Sequence, residues 1–189
     1  MRTALYGGSF DPIHHGHLIL AREALEQLQL DRVIFIPAAQ SPFKLNRHPA
    51  PAAIRVEMVR AAIAGEAGLE CDDSEIHRPG PSFSIETVEA WRSRAPEDEL
   101  FYFIGQDNVP DLPKWRRAAD LLRLAQFVVF ERSVEAPPHD FPAIRRRIDI
   151  SATQVRKRVA EGLSIRYLVP ESVQAIIAAH QLYHQGDSY

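Results

Sequence analysis

Short runs that are apolar at nearly every position recur along the chain. Thr3-Ala4-Leu5-Tyr6, Val33-Ile34-Phe35-Ile36, Leu100-Phe101-Tyr102-Phe103-Ile104 and Phe127-Val128-Val129-Phe130 do not alternate with polar residues. That pattern predicts strands buried on both faces. Leu69 to Ile76 is expected to hold another short strand, and Arg147-Ile148-Asp149-Ile150 a final one. Between these runs the period changes. Leu18, Ala21, Leu25 and Leu28 recur at spacings of three and four, which predicts a helix with one apolar stripe. Ile54, Met58, Ala62 and Ile63 predict a second helix ending near Gly65, and Ser84 through Trp91 opens a third. Further helices are expected to start at Ser151 and at Val169-Pro170. The segment from Ala38 to Pro51 carries prolines and is long for a connector, which usually marks a functional loop.

Strands and helices in alternation predict a doubly wound α/β domain, a parallel sheet covered on both faces. In such sheets the ligand lies beyond the carboxyl ends of the strands. Gly7–His17, Gly105–Asp107, Arg132 and Ser151 therefore belong on one rim. No repeat, low-complexity tract or domain boundary interrupts the pattern, so residues 1–189 are expected to form one domain.

Composition narrows the function classes. With 46% hydrophobic and 25% charged residues the chain is neither disordered nor fibrous in character. A net charge of −3 disfavours a nucleic-acid partner bound through the phosphate backbone. The single cysteine, Cys71, has no intrachain partner for a disulfide. No apolar run approaches the roughly 18 residues of a membrane helix, and Met1 to Gly8 does not resemble a secretory signal. A cytoplasmic protein without a membrane partner is expected, as a monomer or small homo-oligomer.

Two common phosphate fingerprints are missing. There is no G-x-G-x-x-G after a strand and no G-x-x-x-x-G-K-S/T, so a hydride-transferring dehydrogenase and a P-loop NTPase both lose ground. After the first strand stands Gly7-Gly8-Ser9-Phe10-Asp11-Pro12-Ile13-His14-His15-Gly16-His17-Leu18. The glycines allow a tight turn and close approach of a ligand. The helix start beyond them favours an anion, and His14 and His17, three apart, can aim two imidazole donors at it. A metal site using these histidines with Asp11, or a merely solvated polar turn, remain open readings.

A second motif lies far along the chain, at Ile150-Ser151-Ala152-Thr153-Gln154-Val155-Arg156. Ser151 with Gln154 three residues on is a capping-box pattern. The helix N-terminus, the hydroxyls of Ser151 and Thr153, and Arg156 one turn later can surround a polyphosphate. A plain helix cap with a solvated basic face is the alternative.

Together these segments resemble the nucleotidylyltransferase superfamily, with its H-x-G-H motif at His14–His17 and its I-S-x-T-x-I/V-R motif at Ile150–Arg156. Within it, the middle of the chain resembles the nicotinate-nucleotide adenylyltransferases. Ser41-Pro42-Phe43-Lys44 looks like that family's substrate loop, and Pro81-Ser82-Phe83-Ser84-Ile85-Glu86-Thr87 is similar to its P-S-Y/F-T/S-x-x-T segment. Ile104-Gly105-Gln106-Asp107 matches its I-G-x-D turn, and Trp115 its stacking tryptophan. Ser84 stands where the family often has threonine, which keeps the hydroxyl.

The resemblance implies a Rossmann-like nucleotidylyltransferase fold and a reaction of ATP with nicotinate mononucleotide, giving deamido-NAD and pyrophosphate. It implies direct in-line attack without a covalent enzyme intermediate. It sets His14 and His17 against the ATP phosphates, with Ser151, Thr153 and Arg156 at the β- and γ-phosphates. Gly8, Ser9 and Phe10 would shape the floor, with Gly105 beside ATP and Asp107 at ribose hydroxyls. Ser84, Thr87 and Trp115 would frame the nicotinate, and Lys44 with Arg47 would reach the mononucleotide phosphate. Mg2+ is implied as the companion of ATP, with no protein ligand assigned.

Read singly, Trp115 also fits an ordinary core residue, Asp107 a turn cap and Lys44 a solvated charge. Rival functions for the whole chain are a nucleotidylyltransferase acting on phosphopantetheine or a lipid head-group precursor, a non-catalytic nucleotide sensor, and a zinc-dependent hydrolase.

Overall fold

The structure is a computed structural model that describes residues 1–40, 49–132 and 138–184. Lys44 and Arg47, expected at the mononucleotide phosphate, lie outside the described residues. The elements run β1 (Arg2–Gly8), α1 (His15–Gln27), β2 (Arg32–Pro37), α2 (Ala52–Ala62), β3 (Leu69–Cys71) and α3 (Ser84–Arg94). Then follow β4 (Glu99–Gly105), α4 (Ala118–Leu124), β5 (Gln126–Glu131), β6 (Ala143–Arg145), α5 (Ala152–Ala160) and α6 (Glu171–Ala179). Two 3-10 turns, Ser74–His77 and Gln106–Lys114, complete the path.

All five strand pairings are parallel, in the order β3-β2-β1-β4-β5-β6. The chain winds outward through β2 and β3, then returns to pair β4 with the other side of β1. This reversal opens a crevice between the carboxyl ends of β1 and β4, the place where doubly wound sheets take ligands. Both strands end in glycine there, at Gly8 and Gly105.

The unbroken apolar runs are explained by two cores. Ala4, Tyr6, Phe35, Phe103 and Phe130 point to one face, under α1, α2, α5 and α6. Leu5, Ile34, Tyr102, Ile104 and Val129 point to the other, against Ile85, Val88, Trp91 and Leu121 of α3 and α4. Burying a side chain of this size contributes about 1.5–3 kcal/mol, so a single truncation such as Phe103→Ala would cost about 3–5 kcal/mol.

Two local expectations shift. The last strand is Ala143–Arg145, not Arg147–Ile150. The register of β5 is filled by Ala143, Ile144 and Arg145, and Ile144 takes the core position. Residues 146–150 continue without a ladder, although Arg146 N–H and Ile148 N–H still donate to the carbonyls of Glu131 and Arg132 at 3.0 and 3.4 Å. On α1 the fully buried stripe is Leu20, Ala21, Ala24 and Leu25, with Leu18 and Leu28 half-buried at its flanks. The helix rolls so that Leu20 faces the crevice. Short α4 and the 3-10 turn of Gln106–Lys114, which contains Pro110 and Pro113, carry too little periodicity to be foreseen.

Candidate functional site

Two cavities open at the crevice, each about 500 Å³. They share Tyr6, Gly7, Gly8, Ser9, Gly105 and Asn108, so the carboxyl ends of β1 and β4 form a common floor. One cavity takes in the two motif segments: Phe10, Asp11, His14, His17, Ser151, Thr153 and Arg156, with Asp107 and Arg132. The other is walled by Phe83, Ser84, Tyr102 and Trp115, with Glu75 and Arg116.

After β1 the chain must turn sharply to enter α1. Phe10 takes φ +43°, a left-handed conformation that costs a residue with a side chain about 1–2 kcal/mol. Packing offsets that strain. The Phe10 ring sits 5.4 Å from Tyr6, 5.5 Å from Phe35 and 5.1 Å from His17. It also lies so close over Gly8 that a Cβ there would meet the ring at 3.0 Å.

At the start of α1 the backbone N–H of His14 donates to His17 Nδ1 at 3.2 Å, and the two rings stack with centroids 3.7 Å apart. An accepting Nδ1 leaves the proton of a neutral imidazole on Nε2, so His17 offers a donor from Nε2. Burial holds the His17 imidazolium well below its ordinary range, reinforced by the neighbouring charges of His14 and Arg132. Burial and then Arg132 push His14 down to about 3. Both rings are therefore neutral near pH 7. One helix-start donor is already occupied, because His15 N–H donates to the Leu168 carbonyl at 2.9 Å.

The second motif meets the first directly. Ser151 caps α5 by accepting from Gln154 N–H at 3.1 Å. Arg156 donates to the Asp11 carbonyl at 2.7 Å and to Thr153 Oγ1 at 3.2 Å, and approaches the Asp11 carboxylate at 3.8 Å. Asp11 is itself a junction: its Oδ1 accepts from Tyr183 Oη at 2.7 Å and from Ala50 N–H at 3.2 Å. The carboxylate is thus consumed internally, which argues against the metal reading of this segment. Among the described residues no three His, Cys, Asp or Glu side chains come together to hold a metal ion.

Across the crevice, Arg132 follows β5. Its N–H donates to Gln106 Oε1 at 2.8 Å and its guanidinium reaches Asp107 at 3.4 Å. Arg132, expected on the ligand-bearing rim, and Asn108, which was not singled out from sequence, both line the motif-bearing cavity. The available signal is position: each follows an apolar strand of a parallel sheet, at the end where ligands bind.

In the aromatic cavity, Ser84 Oγ accepts from Tyr102 Oη at 2.7 Å, and Trp115 stands edge-on to Tyr102 at 6.4 Å. Thr87 is placed differently from the expectation that its side chain frames a ligand. It is 1% exposed and does not line the cavity; its hydroxyl donates to Glu75 and accepts from Arg78 at 2.8 Å. The residue on the wall is Glu75, whose carboxyl is pushed above the usual range by burial. Glu75 sits in a segment read as strand, so the sequence offered no reason to single it out.

One cavity therefore collects donors and cations around a glycine floor, the setting for phosphate. The other has aromatic walls at Phe83, Tyr102 and Trp115 with a few polar groups such as Ser84 and Glu75, the setting for a flat ring. A bond formed between two molecules, one bound in each cavity, would lie where the cavities share their floor.

Residues 5–158 match the Cytidylyltransferase-like family. A Methylacidiphilum infernorum protein described as "Probable nicotinate-nucleotide adenylyltransferase" is 42% identical over 188 residues, spanning 96% of this chain and 92% of its own. A Thermus thermophilus protein of the same description is 41% identical over 187 residues, spanning 97% and 100%. Among solved structures, Plasmodium falciparum nicotinic acid mononucleotide adenylyltransferase complexed with NaAD superposes with a TM-score of 0.79. It covers 96% of this chain and 97% of its own at 16% identity, a likeness of fold.

Proposed function

Because the chain belongs to the Cytidylyltransferase-like family and within it to the nicotinate-nucleotide adenylyltransferases, we propose that it joins ATP and nicotinate mononucleotide in NAD biosynthesis. The products are deamido-NAD and pyrophosphate. A phosphate oxygen of the mononucleotide forms a bond to the α-phosphorus of ATP. The bond from that phosphorus to the bridging oxygen breaks, and pyrophosphate leaves with the electron pair.

A phosphomonoester already carries about −1.5 to −2 charge at pH 7, so the attacking oxygen needs no protein base. Catalysis then rests on alignment and on stabilising growing negative charge. His17 donates from Nε2 to the α-phosphate, stacked on His14, which lines the same wall. Arg156, Ser151, Thr153 and the N-terminus of α5 hold the leaving pyrophosphate, assisted by Arg132. Gly105 and Asp107 flank the ATP ribose. Trp115 and Ser84 frame the nicotinate ring, while Thr87 acts through Glu75 by steadying the wall.

Mg2+ accompanies ATP as a counter-charge. The described residues gather no ligand cluster for it, and the carboxylates of the phosphate cavity, Asp11 and Asp107, are engaged by arginines. The ion would be held by phosphate and water.

The observation that carries this reading is the neutral, Nδ1-anchored His17 sharing one cavity with Arg156, over a floor common to an aromatic cavity. The test is pyrophosphate release with ATP, magnesium and nicotinate mononucleotide, beside nicotinamide mononucleotide and phosphopantetheine. Release with nicotinate mononucleotide far above the others is the expected result. Release only with phosphopantetheine, or none despite ATP binding, would overturn it.

A further inference from the structure

Arg55 lies one turn into α2, is 1% exposed and lines neither cavity. Each of its three guanidinium nitrogens donates to a different backbone carbonyl. Nε reaches Ala50 at 2.8 Å, Nη1 reaches Ser9 at 2.7 Å, and Nη2 reaches Ala39 at 3.1 Å. The three acceptors belong to three separate stretches: the loop after β1, the exit of β2 and the entry to α2.

Those stretches build the site. Ser9 lines both cavities. Beside Ala39, Ala38 lines the aromatic cavity and Gln40 the phosphate cavity; beside Ala50, Pro49 lines the phosphate cavity. Further bonds extend from the same carbonyl carriers. Ala39 N–H donates to Ser82 Oγ at 3.0 Å, Ser82 N–H to the Gln40 carbonyl at 2.9 Å, and Ala50 N–H to Asp11 Oδ1 at 3.2 Å. Asp11 in turn carries Arg156.

Packing alone does not explain a charge here. Burying a guanidinium is costly, and an unbranched apolar side chain fills similar space without that penalty. What only arginine supplies is a flat, rigid fork whose donors point in fixed directions. We propose that Arg55 is a positioning residue for adenylyl transfer: it sets the shared floor at Ser9 against the walls carried by Ala39 and Ala50. A ligand on the floor and donors on the walls then keep one spacing, which in-line displacement requires. This inference rests on the reading of the two cavities as ATP and mononucleotide sites.

The experiment compares Arg55→Lys with Met58→Ala, a fully buried truncation on the same helix with no polar contact to the site. Lysine keeps the charge but presents its donors from one nitrogen, and so cannot reach three divergent carbonyls. Melting curves choose a temperature at which both variants are folded. Initial rates with ATP, magnesium and nicotinate mononucleotide then give kcat and both KM values. The expected result is a fall of about 10²-fold in kcat/KM for Arg55→Lys, the scale of a 1 Å misplacement, with kcat itself reduced. Met58→Ala melts lower but stays within threefold of wild type in kcat.

Equal kinetic loss in both variants, or none in Arg55→Lys, would make Arg55 a structural residue and overturn the proposal. Should Arg55→Lys not fold, Arg55→Gln takes its place. Failure of both to fold while Met58→Ala folds would also overturn it, assigning the fork to fold stability. Wild-type turnover in the same assay tests the underlying reading separately; a silent wild type would overturn both.

Discussion

A Cβ placed on Gly16 would lie 3.0 Å from Cε1 and from Nδ1 of His14, so the glycine of the H-x-G-H motif is the space in which the first histidine ring sits. On its other side such a Cβ would meet Ile148 Cγ2 at 3.3 Å. Gly16→Ala therefore forces the His14 ring to give by a few tenths of an ångström from the place where it stacks on His17. Gly16 is the second residue of α1, so the usual gain of alanine over glycine inside a helix is small there and is opposed by that contact. The expected variant melts near wild type yet loses about tenfold or more in kcat, as displaced catalytic groups do. Full activity would mean the ring yields without consequence.

The proposed role of His17 is to donate where charge grows in the transition state. His17→Ala should lower kcat by about two to three orders of magnitude, the scale of a lost transition-state donor, while both KM values move little. Steady-state kinetics read the two separately. A raised KM with kcat intact would make His17 a ground-state binding residue.

The depressed histidines make acid the destabilising direction. His14 titrates near 3 in the folded chain and His17 well below its ordinary value, against about 6.5 when unfolded. Between pH 6.5 and about 3 the unfolded state binds more protons, so stability falls as pH falls. His14 contributes up to about 1.4 kcal/mol per pH unit in that window and nothing above it, and His17 acts in the same direction. Calorimetry from pH 7 to 4 should show a steep decline in Tm, shallower in His14→Asn. An identical slope in the variant would remove His14 as a source.

Thr87 is an interior residue whose hydroxyl joins Glu75 to Arg78. Thr87→Val leaves those partners short of a bond, at about 1–3 kcal/mol. The melt should drop, and KM for the mononucleotide should rise modestly as the wall loosens. The ratio of kcat/KM for nicotinate over nicotinamide mononucleotide should hold. Loss of that preference without loss of turnover would identify the side chain as the reader of the carboxylate.

How far the sequence reaches depends on the range of the interaction involved. Strands β1, β2, β4 and β5 were legible because burial on both faces writes itself as an apolar run. The start of α5 was legible because a cap is a contract between Ser151 and Gln154, three positions apart. The two motif segments were legible for the same reason: each is a short stretch, and both do line one cavity.

What tertiary structure decided lies between distant residues. Arg156 donates to Asp11 across a separation of 145 positions, and Tyr183 to Asp11 across 172. Arg55 finds Ser9 and Ala39 only because α2 packs beneath the crevice. That Thr87 is interior while Glu75 lines the cavity is set by how α3 packs against the preceding 3-10 turn. The last strand formed at Ala143–Arg145 because β5 offered its edge in that register, which local pattern does not encode. The neutral state of His14 and His17 likewise follows from burial and from Arg132, which β5 brings to the same rim. Periodicity and caps are local and appear in order along the chain. Register, desolvation and contacts between remote segments exist only once the sheet has assembled.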